Sequence, residues 1–411
     1  MIPAQVRTLV PARLVVAPVV ASLVAEVLAW LYLWGWHPSP AWYANGPLLA
    51  SVHLITVGTL AMALLGMGWQ LVPVATGVRP KKGWNTAAMI INVVGIAGAF
   101  ILTLGMAGPL LGVPSMIGAT FVVLALLARS VMVLREVFPA EGRGMIRMWI
   151  ILAELSLWAG LGYGLMLLMN RLGSPVLGMN PMHDIAIHAS LLLMGWIGGW
   201  IVAMASILVP MFLVAPEPKS QMLAVAALFW FTGVAMGWPA VWLIGALVFA
   251  LAMGLSLLRR VRKNVGADLQ MALLGIFGLV AVAGLLLSPA SGVLAVMASL
   301  AIFALPVLHG IGLRIIPFLF WAYAFADNVQ NAPLPEQVSA PSLSRLSAYG
   351  AMVAGLLLLV GYGFNLIWAW RLGVLLGNVS SISYLGAIAV TALRTWQAHN
   401  RLLSLPGTEA S

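Results

Sequence analysis

Apolar residues run in stretches of roughly twenty along most of the chain, broken by short polar clusters. A helix rises about 1.5 Å per residue, so such stretches match the thickness of a bilayer's hydrocarbon core. Twelve spans are expected, near Leu14–Trp34, Leu48–Val74, Ala87–Ala107, Pro114–Leu134, Met148–Met169 and Ile185–Leu213, then Met222–Gly237, Ala240–Leu258, Leu269–Leu287, Val293–Ala322, Leu346–Phe364 and Gly373–Leu393. The seventh is short and the tenth long. The expected fold is all-α, a polytopic membrane protein forming a single transmembrane domain.

One pattern occurs three times: Gly66-Met-Gly-Trp-Gln-Leu-Val-Pro73, Ala203-Met-Ala-Ser-Ile-Leu-Val-Pro210 and Gly310-Ile-Gly-Leu-Arg-Ile-Ile-Pro317. Small residues two apart allow close helix packing, and a following proline bends a helix. Three copies, each near the end of an even span, predict three pseudo-repeated four-helix blocks over residues 1–140, 141–265 and 266–400. Blocks of four spans are parallel repeats, unlike the inverted repeats of many transporters.

Composition sharpens this picture. Hydrophobic residues make up 63% and charged residues 7%, with a mean hydropathy of +1.06; a soluble domain does not read so. The absence of cysteine excludes disulfides, cysteine-ligated clusters, thioether-attached haem and thiolate catalysis. With the N-terminus placed in the cytosol, all but three of the 20 Lys and Arg fall inside. The exceptions are Arg171 and Arg371 outside and Arg314 within span ten. This bias predicts both termini in the cytosol and a multi-pass protein of the bacterial cytoplasmic (inner) membrane. Trp34, Trp36, Trp42 and Tyr43 are expected to form an interfacial belt at the outer face. The net charge of +10 is then a matter of topology and anionic lipid. The basic residues are scattered over loops and form no nucleic-acid footprint.

Ionisable residues within the spans are few, so each is a functional candidate. His53 and His188 lie in the outer third of spans two and six. Counting 20 residues back from each repeat proline reaches His53, Ser190 and Met297, so His53, His188 and Met297 share roughly one depth. A histidine pair at one level of a bundle suits axial ligation of a haem iron, with Met297 as a further potential ligand. The alternative is that each histidine simply hydrogen-bonds a neighbouring helix. Asp184, one turn before His188, is placed to accept its second ring N–H. His309 lies about 18 Å deeper than Met297 and serves packing or a proton relay. Glu26, mid-span, is either protonated or partnered, and a proton pathway is the functional reading. Arg314 either snorkels to the cytosolic interface or pairs with Glu154.

Twelve spans in three blocks, with histidines near the outer ends of spans two and six, resemble subunit I of the haem–copper oxidase superfamily. The strings His53-Leu-Ile-Thr-Val-Gly-Thr-Leu-Ala-Met-Ala-Leu-Leu-Gly66, Ile187-His188-Ala-Ser-Leu-Leu-Leu-Met-Gly195-Trp196 and Arg314-Ile-Ile-Pro317-Phe-Leu-Phe-Trp321 are similar to those of its small divergent relatives, and the NnrS family of nitric-oxide-linked haem membrane proteins has a similar plan. The resemblance implies that His53 ligates a low-spin haem, that His188 matches a copper ligand, and that Arg371, beside Trp370, holds haem propionates. It stops short of an oxygen-reducing centre. Span ten has no His-x-His at that level, span seven has no histidine, and the relatives' second span-six histidine is Ser190. A full terminal oxidase or nitric-oxide reductase is therefore excluded on ligand count.

These observations imply a membrane protein holding one b-type haem in electron transfer or a nitric-oxide- or oxygen-linked response, with a cytochrome or quinol as electron partner. Two other classes are carried with it. One is a transporter or copper-handling protein, suggested by the 22 methionines and the scattered intramembrane carboxylates. The other is a structural or assembly partner of a respiratory complex.

Overall fold

The computed structural model describes residues 10–35, 46–77, 83–108, 112–141, 143–174, 176, 181–287, 292–325 and 331–404. Trp36, Trp42, Tyr43, Arg7, Arg79, Lys81 and Lys82 lie outside them. Among the described residues the chain is helical, with no strand. Eleven helices are long and apolar enough to cross a membrane: α1 (Ala12–Trp34), α2 (Gly46–Thr76), α3 (Trp84–Ala107), α4 (Val113–Val137), α5 (Gly144–Arg171), α6 (His183–Leu213), α8 (Pro239–Leu257), α9 (Ala267–Leu285), α10 (Leu294–Phe325), α11 (Pro341–Gly363) and α12 (Ile367–Leu402). Between α6 and α8 lies α7 (Ser220–Met236), apolar but only 17 residues long. Helix-rich apolar composition and short connections make this a bundle whose backbone is satisfied within each span.

Consecutive helices pack as pairs, α1 with α2, α3 with α4, and so on to α11 with α12. The last helix returns against α1 and closes the bundle. α2, α6 and α10 are the most enclosed, with 67%, 89% and 78% of their apolar stretches buried, against 56% or less for the other long helices. These inner helices carry the proline motif, and each has a π-helical segment ahead of its proline: Leu54–Ala61, Ser190–Gly198 and Ser299–Ala304. A π turn frees carbonyls that an α-helix would occupy, and hydroxyls take some of them up. Thr59 Oγ1 lies 3.0 Å from the Leu54 carbonyl and 3.2 Å from that of Ser22 on α1, and Ser299 Oγ donates to Ala295 at 2.6 Å.

Two of the three prolines stand in the last turns of their helices, whereas Pro317 lies inside α10, which continues to Phe325. Pro73 sits in the last turn of α2, where its carbonyl accepts the Gly77 N–H at 2.8 Å. Gly77 takes φ 71°, the left-handed conformation that closes a helix and that glycine adopts without strain. α6 ends likewise at Pro210, but the left-handed residue is Val214, at φ 50°. A branched residue there costs about 1–3 kcal/mol. The segment after α8 holds it in place: Val261 N–H donates to the Val214 carbonyl at 3.0 Å and Arg262 N–H to that of Leu213 at 3.1 Å.

Candidate functional site

His53 is the last residue of α2 before its π segment. Its Nδ1 lies 2.8 Å from the carbonyl oxygen of Leu49, one turn earlier. A carbonyl only accepts, so Nδ1 carries the proton and Nε2 presents a lone pair. His188 on α6 reaches the same state by another route: its Nδ1 lies 2.9 Å from the carbonyl of Gly160 on α5. The ring lies over Gly164 of α5, where a Cβ would stand 2.7 Å from Cε1 and 3.2 Å from Nδ1. Only glycine leaves room for the imidazole in that position.

Neither Nε2 has a hydrogen-bond partner among the described residues, and both side chains are half-buried. The π segments that follow both histidines meet where α2 and α6 touch. The arrangement is two neutral imidazoles from different helices, each with one nitrogen fixed by backbone and the other open.

Several expected residues stand elsewhere. Asp184 is buried at 8% exposure with Oδ2 unpartnered, and the backbone of Gly160 takes the His188 N–H in its place. A main-chain acceptor from α5 was available, and nothing in the spacing along α6 reveals it. Met297 borders an opening between α1, α2, α10, α11 and α12 whose wall includes Val52 and Ile55 but not His53. Arg371 is exposed on α12, while its neighbour Trp370 is buried and donates Nε1–H to the Leu33 carbonyl at 3.2 Å. Arg171, at the end of α5, is likewise exposed. Among the described residues no three His, Asp or Glu side chains gather as a metal-sized cluster.

A comparison with protein-family models finds no match, and neither does one with curated proteins.

Two further polar centres lie inside the bundle. Glu26 on α1 meets His309 on α10, with Nε2 3.1 and 3.0 Å from the two carboxylate oxygens and both side chains buried. His309 Nδ1 lies 2.9 Å from Ser347 Oγ on α11 and 3.3 Å from Ser380 Oγ on α12, and the Tyr384 ring packs edge-on against the imidazole. Glu26 is thus a partnered carboxylate, one of the two alternatives its position posed.

The other centre corrects the sequence reading. Glu154 pairs with Arg129 of α4 at 2.7 Å, both fully buried, and not with Arg314. Trp200 Nε1–H donates to the same oxygen at 2.7 Å, and the guanidinium lies over the Trp200 ring at 4.6 Å. Counting Arg129 with the cytosolic cations is incorrect: it lies within span four, five residues before Leu134, in a helix that continues to Val137, and Gly68 of the repeat motif makes room for the guanidinium. Arg314, partly exposed, is held by Asp268 at the start of α9, with Nε 2.8 Å from Oδ2 and Nη2 3.1 Å from Oδ1. It neither extends freely to the interface nor reaches Glu154.

Proposed function

We propose that this chain is a haem-binding membrane protein built on a haem–copper-oxidase-like plan, with His53 and His188 as axial ligands of one b-type haem. The observation that carries the reading is the matched tautomer: each Nδ1–H is committed to a carbonyl, and each Nε2 lone pair is open. Such hydrogen bonds orient a ligating ring and raise its basicity. Gly164 leaves room for the His188 ring against α5. Arg171 and Arg371, both exposed, are the two cations that suit a propionate carboxylate. A haem held here would supply one-electron redox chemistry. The chain's own part is to fix two rings, each by its Nδ1–H on a backbone carbonyl, with Nε2 left open. The matched π segments and prolines of α2, α6 and α10 support three related four-helix blocks. The distribution of Lys and Arg supports cytosolic termini in a bacterial inner membrane.

The test is a visible spectrum of the protein purified after expression with added haem. A Soret band that shifts on reduction is expected, and either His53→Ala or His188→Ala should remove or convert it. A folded wild-type protein with no Soret band overturns the proposal.

A second role is favoured by the centre on α1 and α10: a proton site formed by Glu26 and His309. Ser380 Oγ–H donates to the Ser347 carbonyl at 2.6 Å, so towards Nδ1 it offers only a lone pair. Ser347 Oγ, nearer at 2.9 Å, can donate to Nδ1 or accept from it, so this hydrogen bonding serves the ring with or without the second proton. Infrared difference spectra on a pH jump should contain a carboxyl band that Glu26→Gln removes. An unchanged spectrum in the variant counts against it.

A further inference from the structure

The opening that Met297 borders has a volume of about 80 Å³ and belongs to none of the polar centres. Three of the polar groups in its walls are turned away and satisfied. Ser51 Oγ donates to the Pro47 carbonyl at 2.9 Å, Trp30 Nε1 to Ser381 Oγ at 3.1 Å, and Trp370 Nε1 to the Leu33 carbonyl at 3.2 Å. A buried water needs two to four polar partners, so a wall of this kind does not hold one. What remains facing inward is apolar, chiefly the side chains of Ile55, Leu300, Ala301 and Leu358.

Two π segments border this space, through Ile55 on α2 and through Leu300 and Ala301 on α10. A π turn pushes backbone outward locally, and Ala301 is too small to fill the room beside it. The carbonyl of Ala301 is already against α11, where a Cβ at Gly355 would stand 2.6 Å from it, so the helices do not close further. The void is thus held open by backbone, not by a missing side chain that a rotamer change supplies. Its deep walls are buried, whereas Val52, Val296, Met297 and Tyr362 are half-buried and form its mouth at the end where α2 and α10 begin.

Size decides the occupant. An engineered apolar cavity of roughly 150 Å³ stays dry and binds benzene or xenon. A space near half that volume excludes an aromatic ring, a quinone head or a haem, and admits a single xenon atom or a diatomic gas. We propose that this cavity is a docking site for one small apolar gas molecule, entering past Met297. The inference goes beyond the haem reading and stands whether or not a haem binds, because no side chain of the cavity wall is a ligand in that reading.

Crystals of the full chain pressurised with xenon test it. An anomalous peak is expected between Ile55 and Ala301. Met297→Trp, which plugs the mouth, and Ala301→Leu, which fills the interior, should each lose the peak. Met297→Ala should keep it, as should His53→Ala, so failure of the haem reading leaves this result intact. Should the filling variants misfold, the wild-type and Met297→Ala peaks still decide. A xenon-free cavity in the folded wild type, an ordered water there, or a lipid chain occupying it overturns the proposal.

Discussion

His53 and His188 on one side, and His309 on the other, show how one side chain serves opposite ends within a single bundle. Each of the first two gives one nitrogen to a backbone carbonyl and keeps the other open. His309 gives both nitrogens to side chains, Nε2 to Glu26 and Nδ1 to Ser347 and Ser380. A ring held once, by a group that cannot move, is poised to receive a metal. A ring held on both sides by side chains from α1, α11 and α12 ties helices together and has no lone pair to offer. Depth reinforces the contrast, since the open pair lies near the ends of its helices and the closed one is fully buried.

The contrast breaks most forcefully at Glu26. Glu26→Ala leaves His309 buried beside no carboxylate, and removal of one member of such a pair costs about 3–5 kcal/mol. Chemical or thermal unfolding in detergent should register that loss, with Arg129→Ala at the other buried pair as a positive control of the same size. His53→Ala should cost about 1 kcal/mol, since only one hydrogen bond goes, yet it should abolish the haem spectrum. If His309→Ala removes the Soret band and His53→Ala does not, the assignment of roles is reversed. Gly164→Ala sharpens the comparison without touching a ligand. The added Cβ would push the His188 ring off its carbonyl, and haem affinity should fall roughly 10–100-fold in titration, as for other supporting groups around a metal ligand. Ser380→Ala is the gentlest test, with an expected loss of about 0.5–1.5 kcal/mol and no spectral change.

The spans were legible because a bilayer demands long apolar stretches and the chain supplies them; even the shortness of α7 and the length of α10 stand in the sequence. The three inner helices were marked by their shared proline motif. What the sequence concealed depends on partners from other helices. Nothing along α6 says that Gly160 will take the His188 proton in preference to Asp184. Arg129 was hidden by an assumption that cations near a span end lie outside it, although the apolar residues on both sides, up to Leu134, carry the helix past it. The π segments leave no mark in composition at all.

Those segments have a mechanical consequence. Each stores a surplus residue in a coil that would otherwise turn by about 100° per position. Deleting one residue, such as Thr56, would let α2 relax into an ordinary helix while its far end stayed anchored by Gly77. Everything ahead of the deletion would then keep close to its present bearing, because the wide turn had already absorbed the extra residue, and the change would stay local to the segment. The histidine-bearing and proline-bearing halves of the inner helices thus hold nearly the register of an uninterrupted helix, and the wide turn is where the surplus is taken up.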